Sequence, residues 1–247
     1  MTSQQGSMFS PEMGYADLAA TGQALSPLDG RYRPQTQELT QYLSEAALNR
    51  TRIFVEIEWM IELLRRGIIA HAPEISDAEL DYLRALPQNF NADSIAELAQ
   101  IEAETRHDVK AVEYYIDHRL EAARDVLGPD TVLPSLHPLV HIFATSEDIN
   151  NLSYALNVQA AIRQVWLPRA QALYSRLLEL AQNGAAVPML ARTHGQPATP
   201  VTMGKELAVF AYRLSRQLSR IEDAEYLGKM NGATGTWAAH RVALPQV

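Results

Sequence analysis

Apolar side chains recur every three to four residues along much of this chain, which is the period of an amphipathic helix. The first such stretch runs from about Gln35 to Ile69 with one longer step at Arg50, and Gly67 and Pro73 are typical residues for its end. The pattern therefore predicts one long helix. Its apolar stripe comprises Leu39, Leu43, Ala47, Ile53, Ile57, Ile61, Leu64 and Ile68.

Two further helical segments follow in the first half of the chain. A short helix is predicted around Asp77–Leu86, and Ser94-Ile95-Ala96-Glu97 forms a capping box that opens a helical region to about Ala123. Gly128-Pro129-Asp130 and Pro134 then break the pattern, and we place a domain boundary there. The predicted organisation is a flexible N-terminal tail (1–25), an N-terminal helical domain (26–130) and an incomplete central helix-bundle domain (131–247).

The second half of the chain contains longer helical patterns. They cover roughly Ser146–Asn183 and Pro200–Leu227, and Pro168 is expected to kink or locally break the first. There is no alternating pattern of useful length for a strand, so the predicted fold class is all-α, with part of a long helix bundle in the second half. Two full helices cannot close such a core, so we expect other subunits, or a continuation beyond Val247, to supply the rest.

The composition is that of an ordinary globular protein and argues against several classes. Apolar residues make up 47% of the 247 residues and charged residues 20%, and the net charge of −8 comes without a basic block, which argues against nucleic-acid binding. The absence of cysteine rules out disulfides and thiolate metal sites. No apolar run approaches the ~20 residues that span a bilayer, and residues 1–25 lack a signal-peptide pattern. These features predict a cytoplasmic protein.

One histidine stands just before the last long helix, in the sequence Thr193-His194-Gly195-Gln196-Pro197-Ala198-Thr199-Pro200. Its Gly and Pro residues predict an irregular, stiff loop, with Thr199 and Pro200 starting the helix. Histidine titrates near neutral pH, so His194 in a fixed position could transfer a proton. The alternative is a histidine that only hydrogen-bonds its own loop.

Three other polar segments lie at loop-to-helix junctions. Thr105-Arg106-His107-Asp108 offers two donors for an anion and a carboxylate that can fix the imidazole tautomer, or is simply a solvated helix face. Thr145-Ser146-Glu147-Asp148 is either a plain capping box or a helix start whose free N–H groups and hydroxyl bind an anion. The loop Ser26–Pro34 carries two arginines and a tyrosine among turn-forming residues.

Two other motifs predict no chemistry. His137 and His141 are four residues apart, but Pro138 disfavours helical geometry at His137 and no third ligand has a matching spacing, so we predict no metal site. The segment Gly228–Gly235 resembles a phosphate-binding loop only loosely. It follows a helix instead of a strand and lacks the P-loop spacing, so nucleotide hydrolysis is rejected.

The polar segments together resemble the fumarase/aspartase superfamily, and within it the lyases of purine nucleotide biosynthesis. The resemblance covers about Ser26 to Val247 and lies in four motifs in the correct order. These are Ser26-Pro27-Leu28-Asp29-Gly30-Arg31-Tyr32, His107-Asp108-Val109-Lys110-Ala111-Val112-Glu113-Tyr114, Thr145-Ser146-Glu147-Asp148-Ile149-Asn150-Asn151-Leu152, and Arg192 to Pro200.

The resemblance implies an all-α, fumarase/aspartase-like fold and a β-elimination that releases fumarate from succinylated purine ribotides. It implies that His194 is the general acid and that Arg31 and Tyr32 hold the phosphate end of the substrate. The other residues that it implies in substrate binding are Arg106, His107, Asp108, Thr145 and Ser146. It implies no metal, no cofactor, and a homotetramer whose active sites are shared between subunits.

One departure from the family pattern bears on activity. The segment Gly-Ser-Ser-x-Met-Pro-x-Lys-x-Asn, which carries the serine base in this family, is absent from the 247 residues. We therefore expect the N-terminal portion of such a lyase, inactive by itself. The alternatives are another lyase of the superfamily, similar to argininosuccinate lyase, and a helical scaffold without catalytic activity.

Overall fold

The computed structural model describes residues 22–246 and divides them into two compact units, residues 22–158 with 227–246 and residues 159–226. Most of the predicted flexible tail, residues 1–21, lies outside the described part, and the domain boundary near residue 130 stays a prediction. The helices are α1 (Arg33–Thr36), α2 (Thr40–Leu43), α3 (Glu45–Arg65), α4 (Asp77–Gln88), α5 (Ala92–Thr105), α6 (Asp108–Leu127), α7 (Ser146–Ala161), α8 (Leu167–Asn183), α9 (Met203–Glu222) and α10 (Ala238–Ala243). The strands are β1 (Pro188–Thr193) and β2 (Gln196–Thr202), and 3₁₀ turns cover Pro27–Asp29, Gln37–Leu39 and Leu133–Leu139.

The prediction of a single helix from residue 35 is wrong at its start, whereas the predicted end near Gly67 is confirmed. Ser44 has extended backbone angles and caps α3 by accepting the N–H of Ala47 at 3.2 Å, so the chain before it forms only short helical turns. The helix ends at Arg65, ahead of Gly67, whose φ of 62° leaves the helical region. The apolar period continues across Ser44 although Leu43 is exposed, so the spacing alone did not mark this break.

Helix α4 confirms its prediction, whereas the capping box at Ser94 does not exist. The side chain of Asn91 caps α5 three residues earlier, and the Ser94 hydroxyl accepts a hydrogen bond from the hydroxyl of Tyr115 at 3.0 Å. The helical region that was predicted to reach Ala123 is two helices, because Arg106 adopts a left-handed φ of 55° between them.

The hydrophobic core of the first unit lies among α3, α4, α5, α6 and the 3₁₀ turn Leu133–Leu139. Most of the predicted stripe of α3 points into this core. The fully buried side chains of this core include Ile53, Ile57, Met60, Ile61, Leu83, Ile116, Leu120, Leu133 and Leu136.

The local break predicted at Pro168 takes the form of a π-helical turn over Ile162–Trp166, between α7 and α8. In a regular helix the ring of Pro168 would collide with the carbonyl of Gln164. The wider turn, in which the N–H of Leu167 bonds the carbonyl of Ile162, removes that collision.

Helices α8 and α9 form an antiparallel pair in the second unit. A hydrogen bond of 2.9 Å joins Gln171 to Glu222, and a Cβ on Gly204 would lie 2.3 Å from the carbonyl oxygen of Ala181, so only glycine permits this approach. The pair leaves large apolar side chains exposed, among them Leu173, Phe210 and Tyr212. Within residues 22–246, no helix combines the length and hydrophobicity that crossing a membrane requires.

Candidate functional site

The first group of candidate residues lies where α5 ends and α6 begins. His107 is the N-cap of α6, and its Nδ1 accepts the backbone N–H of Lys110 at 3.2 Å. Because Nδ1 accepts, the proton of the neutral ring is on Nε2. The nearest oxygen of Asp108 is 3.6 Å from Nδ1, so the helix backbone, and not the carboxylate, sets the tautomer. Arg106 and His107 are exposed beside each other.

Asp108 is bound instead by a buried arginine that the sequence analysis missed. The Arg52 guanidinium on α3 donates to Asp108 at 2.6 Å, to Asn150 at 2.9 Å and to Asn49 at 2.8 Å. Burial alone would raise the pKa of Asp108, but the charge and hydrogen bond of Arg52, together with the N–H of Val109, outweigh it and lower that pKa. Arg52 therefore ties the start of α6 to the first turn of α7.

The start of α7 carries the second group. Asp148 is fully buried, and its carboxylate accepts the backbone N–H of Thr145 at 2.9 Å. Among the described residues, the hydroxyls of Thr145 and Ser146 have no hydrogen-bond partner, which leaves them available for a ligand at the positive end of the helix.

Packing holds these two helix starts together. Val55 of α3, Val109 of α6 and Ile149 of α7 form one buried apolar cluster, with Ala144 and Leu152 packed against it. Arg52 and the Val55 cluster thus connect the helix start that carries His107 and Asp108 with the helix start that carries Thr145 and Ser146.

Arg31 and Tyr32 lie in the turn after the 3₁₀ segment Pro27–Asp29. The buried carboxylate of Asp29 holds the start of this 3₁₀ segment by accepting the N–H groups of Leu25 and Ser26, both at 2.6 Å. Arg31 and Tyr32 remain exposed, with the guanidinium 5.8 Å from the ring centroid of its neighbour. The contacts that the structure describes for this pair are local.

His194 lies in the second unit, and the prediction of an irregular loop around it is wrong. Strands β1 and β2 form an antiparallel hairpin in which Thr193 pairs with Gln196, so His194 and Gly195 are its two turn residues. Their φ angles of 51° and 74° are both positive, as a type I′ hairpin turn requires. The imidazole is exposed and has no hydrogen-bond partner within residues 22–246, so it does not hydrogen-bond its own loop.

The prolines around His194 do not prevent the hairpin. Pro197 and Pro200 lie within β2, and a two-stranded sheet gives each strand one free edge on which a missing N–H costs nothing. Helix α9 consequently begins at Met203, after the N-cap Thr202, and not at Pro200 as predicted.

A buried acid–base pair is a second feature that the sequence analysis missed. The carboxylate of Glu56 on α3 is 2.6 Å from Nδ1 of His141, and Glu113, paired with Lys110, lies 3.9 Å from Nε2. Burial raises the pKa of Glu56. Burial would lower the pKa of His141, but the hydrogen bond and charge of Glu56, together with the charge of Glu113, outweigh that effect and raise it. Within the described ranges no three potential ligands cluster as a metal site would require.

Residues 30–247 match the lyase family over most of the chain. The chain belongs to the lyase family. Its sequence is 41% identical over 224 residues to adenylosuccinate lyase of Haemophilus influenzae and 40% identical over 227 residues to adenylosuccinate lyase of Escherichia coli K12. Both alignments cover 91% of this chain and 48% of the relative, so this lyase chain spans about half the length of the curated relatives it matches. The resemblance that the four motifs predicted is confirmed, because these relatives are adenylosuccinate lyases.

Solved structures support the fold of this lyase. A fumarate lyase from Mesorhizobium sp. BNC1 has a TM-score of 0.64 at 21% identity, covering 82% of this chain and 44% of that one. The β-carboxy-cis,cis-muconate cycloisomerase of Acinetobacter calcoaceticus has a TM-score of 0.63 at 22% identity, covering 83% and 45%. The predicted helical, fumarase/aspartase-like fold is confirmed, with the hairpin as its small β element.

Proposed function

We propose that this chain supplies the N-terminal portion of an adenylosuccinate lyase. The complete enzyme splits adenylosuccinate into AMP and fumarate, and splits the succinocarboxamide ribotide of purine synthesis into the carboxamide ribotide and fumarate. The observation that carries this proposal is the 40–41% identity to relatives of that name across 91% of the chain. The residues that the resemblance implied lie in the β1–β2 hairpin, near the starts of α6 and α7, and in the turn after Pro27–Asp29.

The reaction is a β-elimination, and it needs one acid, one base and fixed donors for several anionic groups. A base removes the Cβ proton of the succinyl group, the resulting carbanion is stabilised as an aci-carboxylate, and an acid protonates the nitrogen that leaves. His194 is the acid in this proposal. Its support is an exposed imidazole that no other described residue binds, at the tip of a hairpin whose turn geometry fixes the backbone.

The remaining candidates bind the substrate in this proposal. Arg31 and Tyr32 hold the phosphate end. Residues Arg106, His107, Asp108, Thr145 and Ser146 contact the rest of the molecule. Their support is chemical, because these groups include two hydroxyls at a helix N-terminus that have no partner among residues 22–246, and an Nε2–H donor on an exposed ring. No step of the proposed elimination requires a metal or a cofactor.

The proposal extends to assembly and location. The exposed apolar residues of α8 and α9, such as Leu173 and Phe210, support a homotetramer built through these helices, with active sites shared between subunits. Residues 26–130 would be the N-terminal domain, and residues 131–247 part of the central bundle. The enzyme would act in the cytoplasm. Because the serine-base segment is absent, the 247-residue chain alone would not turn over substrate.

A substrate comparison tests the proposed function. The complete protein that carries this chain is mixed with adenylosuccinate, and in parallel with argininosuccinate, and the absorbance change is followed. We expect turnover of adenylosuccinate only. Turnover of argininosuccinate, with no turnover of adenylosuccinate, would favour a lyase similar to argininosuccinate lyase. Turnover of neither substrate by a folded tetramer would favour a helical scaffold without catalytic activity.

A further inference from the structure

The loop Gly228–Gly235 is bound to the start of α7 through the side chain of Asp148. One carboxylate oxygen accepts the N–H of Thr145 at 2.9 Å and that of Gly232 at 3.0 Å. The other accepts the ammonium of Lys229 at 2.6 Å and the N–H of Asn231 at 3.2 Å. Asp148 is fully buried, and these four donors come from two segments about 80 residues apart in the chain.

Two other contacts hold the same loop. The side chain of Asn151 accepts the N–H of Lys229 at 2.7 Å and donates to its carbonyl at 3.0 Å, which replaces a backbone pairing. A Cβ on Gly228 would lie 2.5 Å from a methyl group of Leu152, so a larger residue here would displace the Leu152 side chain. The loop therefore rests directly on the first two turns of α7.

These contacts explain the loose resemblance of the loop to a phosphate-binding loop. The backbone N–H groups of Asn231 and Gly232 do bind an anion, as such loops do, but that anion is the carboxylate of Asp148. Burial alone would raise the pKa of Asp148, but the bond from Lys229 and the backbone N–H groups outweigh it and lower that pKa, so the carboxylate is ionised at neutral pH.

We propose that Asp148 is a positioning residue for substrate binding, which sets the Thr145–Ser146 helix start against the loop Gly228–Gly235. The proposal rests on the proposed function of Thr145 and Ser146. Asp148 itself is inaccessible, so it acts on the substrate only through these neighbours. One carboxylate oxygen of Asp148 accepts the N–H groups of both Thr145 and Gly232. The position of the helix start therefore depends on the loop.

The first test is kinetic and uses Asp148→Asn in the complete protein. The amide keeps the shape but loses the charge opposite Lys229 and presents N–H groups to other donors. A displaced helix start weakens binding of ground state and transition state alike. We therefore expect KM for adenylosuccinate to rise about tenfold or more while kcat stays within about threefold. The matched control is Glu147→Gln, an exposed carboxylate on the same turn, which should leave both constants unchanged.

A second variant covers the case in which Asp148→Asn does not fold. Lys229→Met removes the ammonium of a partly exposed side chain and leaves the three backbone N–H partners of Asp148 in place. We expect a smaller rise of KM in the same direction. An unchanged KM in every folded variant that lacks one of these two charges would overturn the proposal.

Hydrogen exchange separates this proposal from the proposed function, because it needs no activity. In the 247-residue chain, Asp148→Asn should speed amide exchange at Asn231 and Gly232 relative to Glu147→Gln. If the wild-type protein does not turn over adenylosuccinate, the proposed function is refuted. The amide exchange rates alone then test the positioning role of Asp148. Faster exchange at the two amides would then support the positioning role, and unchanged exchange would overturn it.

Discussion

Glu79 offers the sharpest test of how this fold is held together. Its carboxylate accepts the N–H and hydroxyl of Ser76 at 2.9 and 2.8 Å, closing the capping box of α4. Its other oxygen accepts the hydroxyl of Thr131 at 2.6 Å and the N–H of Val132 at 2.7 Å, across more than 50 residues of chain. One carboxylate thus joins the start of α4 to the segment that leads into the 3₁₀ turn Leu133–Leu139.

The magnitude follows from the pKa of this group. Burial would raise the pKa of Glu79, but its four hydrogen bonds outweigh that effect and lower the pKa from 4.5 to about 2. A difference of that size stabilises the folded state by about 3 kcal/mol when the carboxylate is ionised. Because the folded pKa is the lower one, this stability is present above about pH 4.5 and is lost as the pH falls towards 2.

The perturbation is Glu79→Gln in the 247-residue chain, with Glu74→Gln as the control because Glu74 is exposed nearby. Urea unfolding is followed by tryptophan fluorescence in a Trp166→Phe background, so that Trp59 and Trp237 report on the first unit. We expect Glu79→Gln to lower the free energy of unfolding by about 2–3 kcal/mol at pH 7 and by much less at pH 2.5. An equal loss of unfolding free energy at both pH values would refute the reasoning, because such a loss would not arise from the charge of the Glu79 carboxylate.

The remaining predictions concern the chain as a whole. The 247-residue chain should show little or no turnover of adenylosuccinate, since each acid–base partner contributes on the order of 10²–10⁴-fold, and a rate within tenfold of roughly 10 s⁻¹ would contradict this. The chain should also self-associate through α8 and α9. Light scattering at micromolar concentration should give more than the mass of one chain, and Phe210→Glu should shift it towards one chain, with the exposed Val126→Glu on α6 as the control. A single-chain mass for the wild type would exclude this association.

Local patterns predicted the helices well because hydrophobic period and capping are properties of neighbouring residues. The capped helix α4 and the interruption near Pro168 were predicted within a few residues. The apolar period could not reveal the break at Ser44, because Leu39 and Leu43 keep the spacing of the stripe although Leu43 is exposed. The hairpin at His194 was missed because two prolines and a histidine in a turn contradict ordinary strand propensities.

The support for the candidate site could not be predicted, because it depends on pairs far apart in the chain. Arg52 and Asp108 are 56 residues apart, Glu56 and His141 are 85 apart, and Lys229 lies 81 residues from Asp148. Each pair is charged and at least partly buried, whereas a single sequence shows only the charge. The motif residues themselves were recognisable from the sequence because they stand at helix starts and turns, where local chemistry is visible.

Kinetics of His194→Gln in the complete protein test the central claim most directly. Glutamine keeps a similar size and can hydrogen-bond, but it does not titrate near neutral pH as histidine does. If His194 is the general acid, kcat for adenylosuccinate falls roughly 10²–10⁴-fold while KM changes little, because the lost interaction develops in the transition state. If His194 only anchors the substrate, KM rises and kcat survives. Near-normal kcat in a well-folded His194→Gln protein would contradict the assignment.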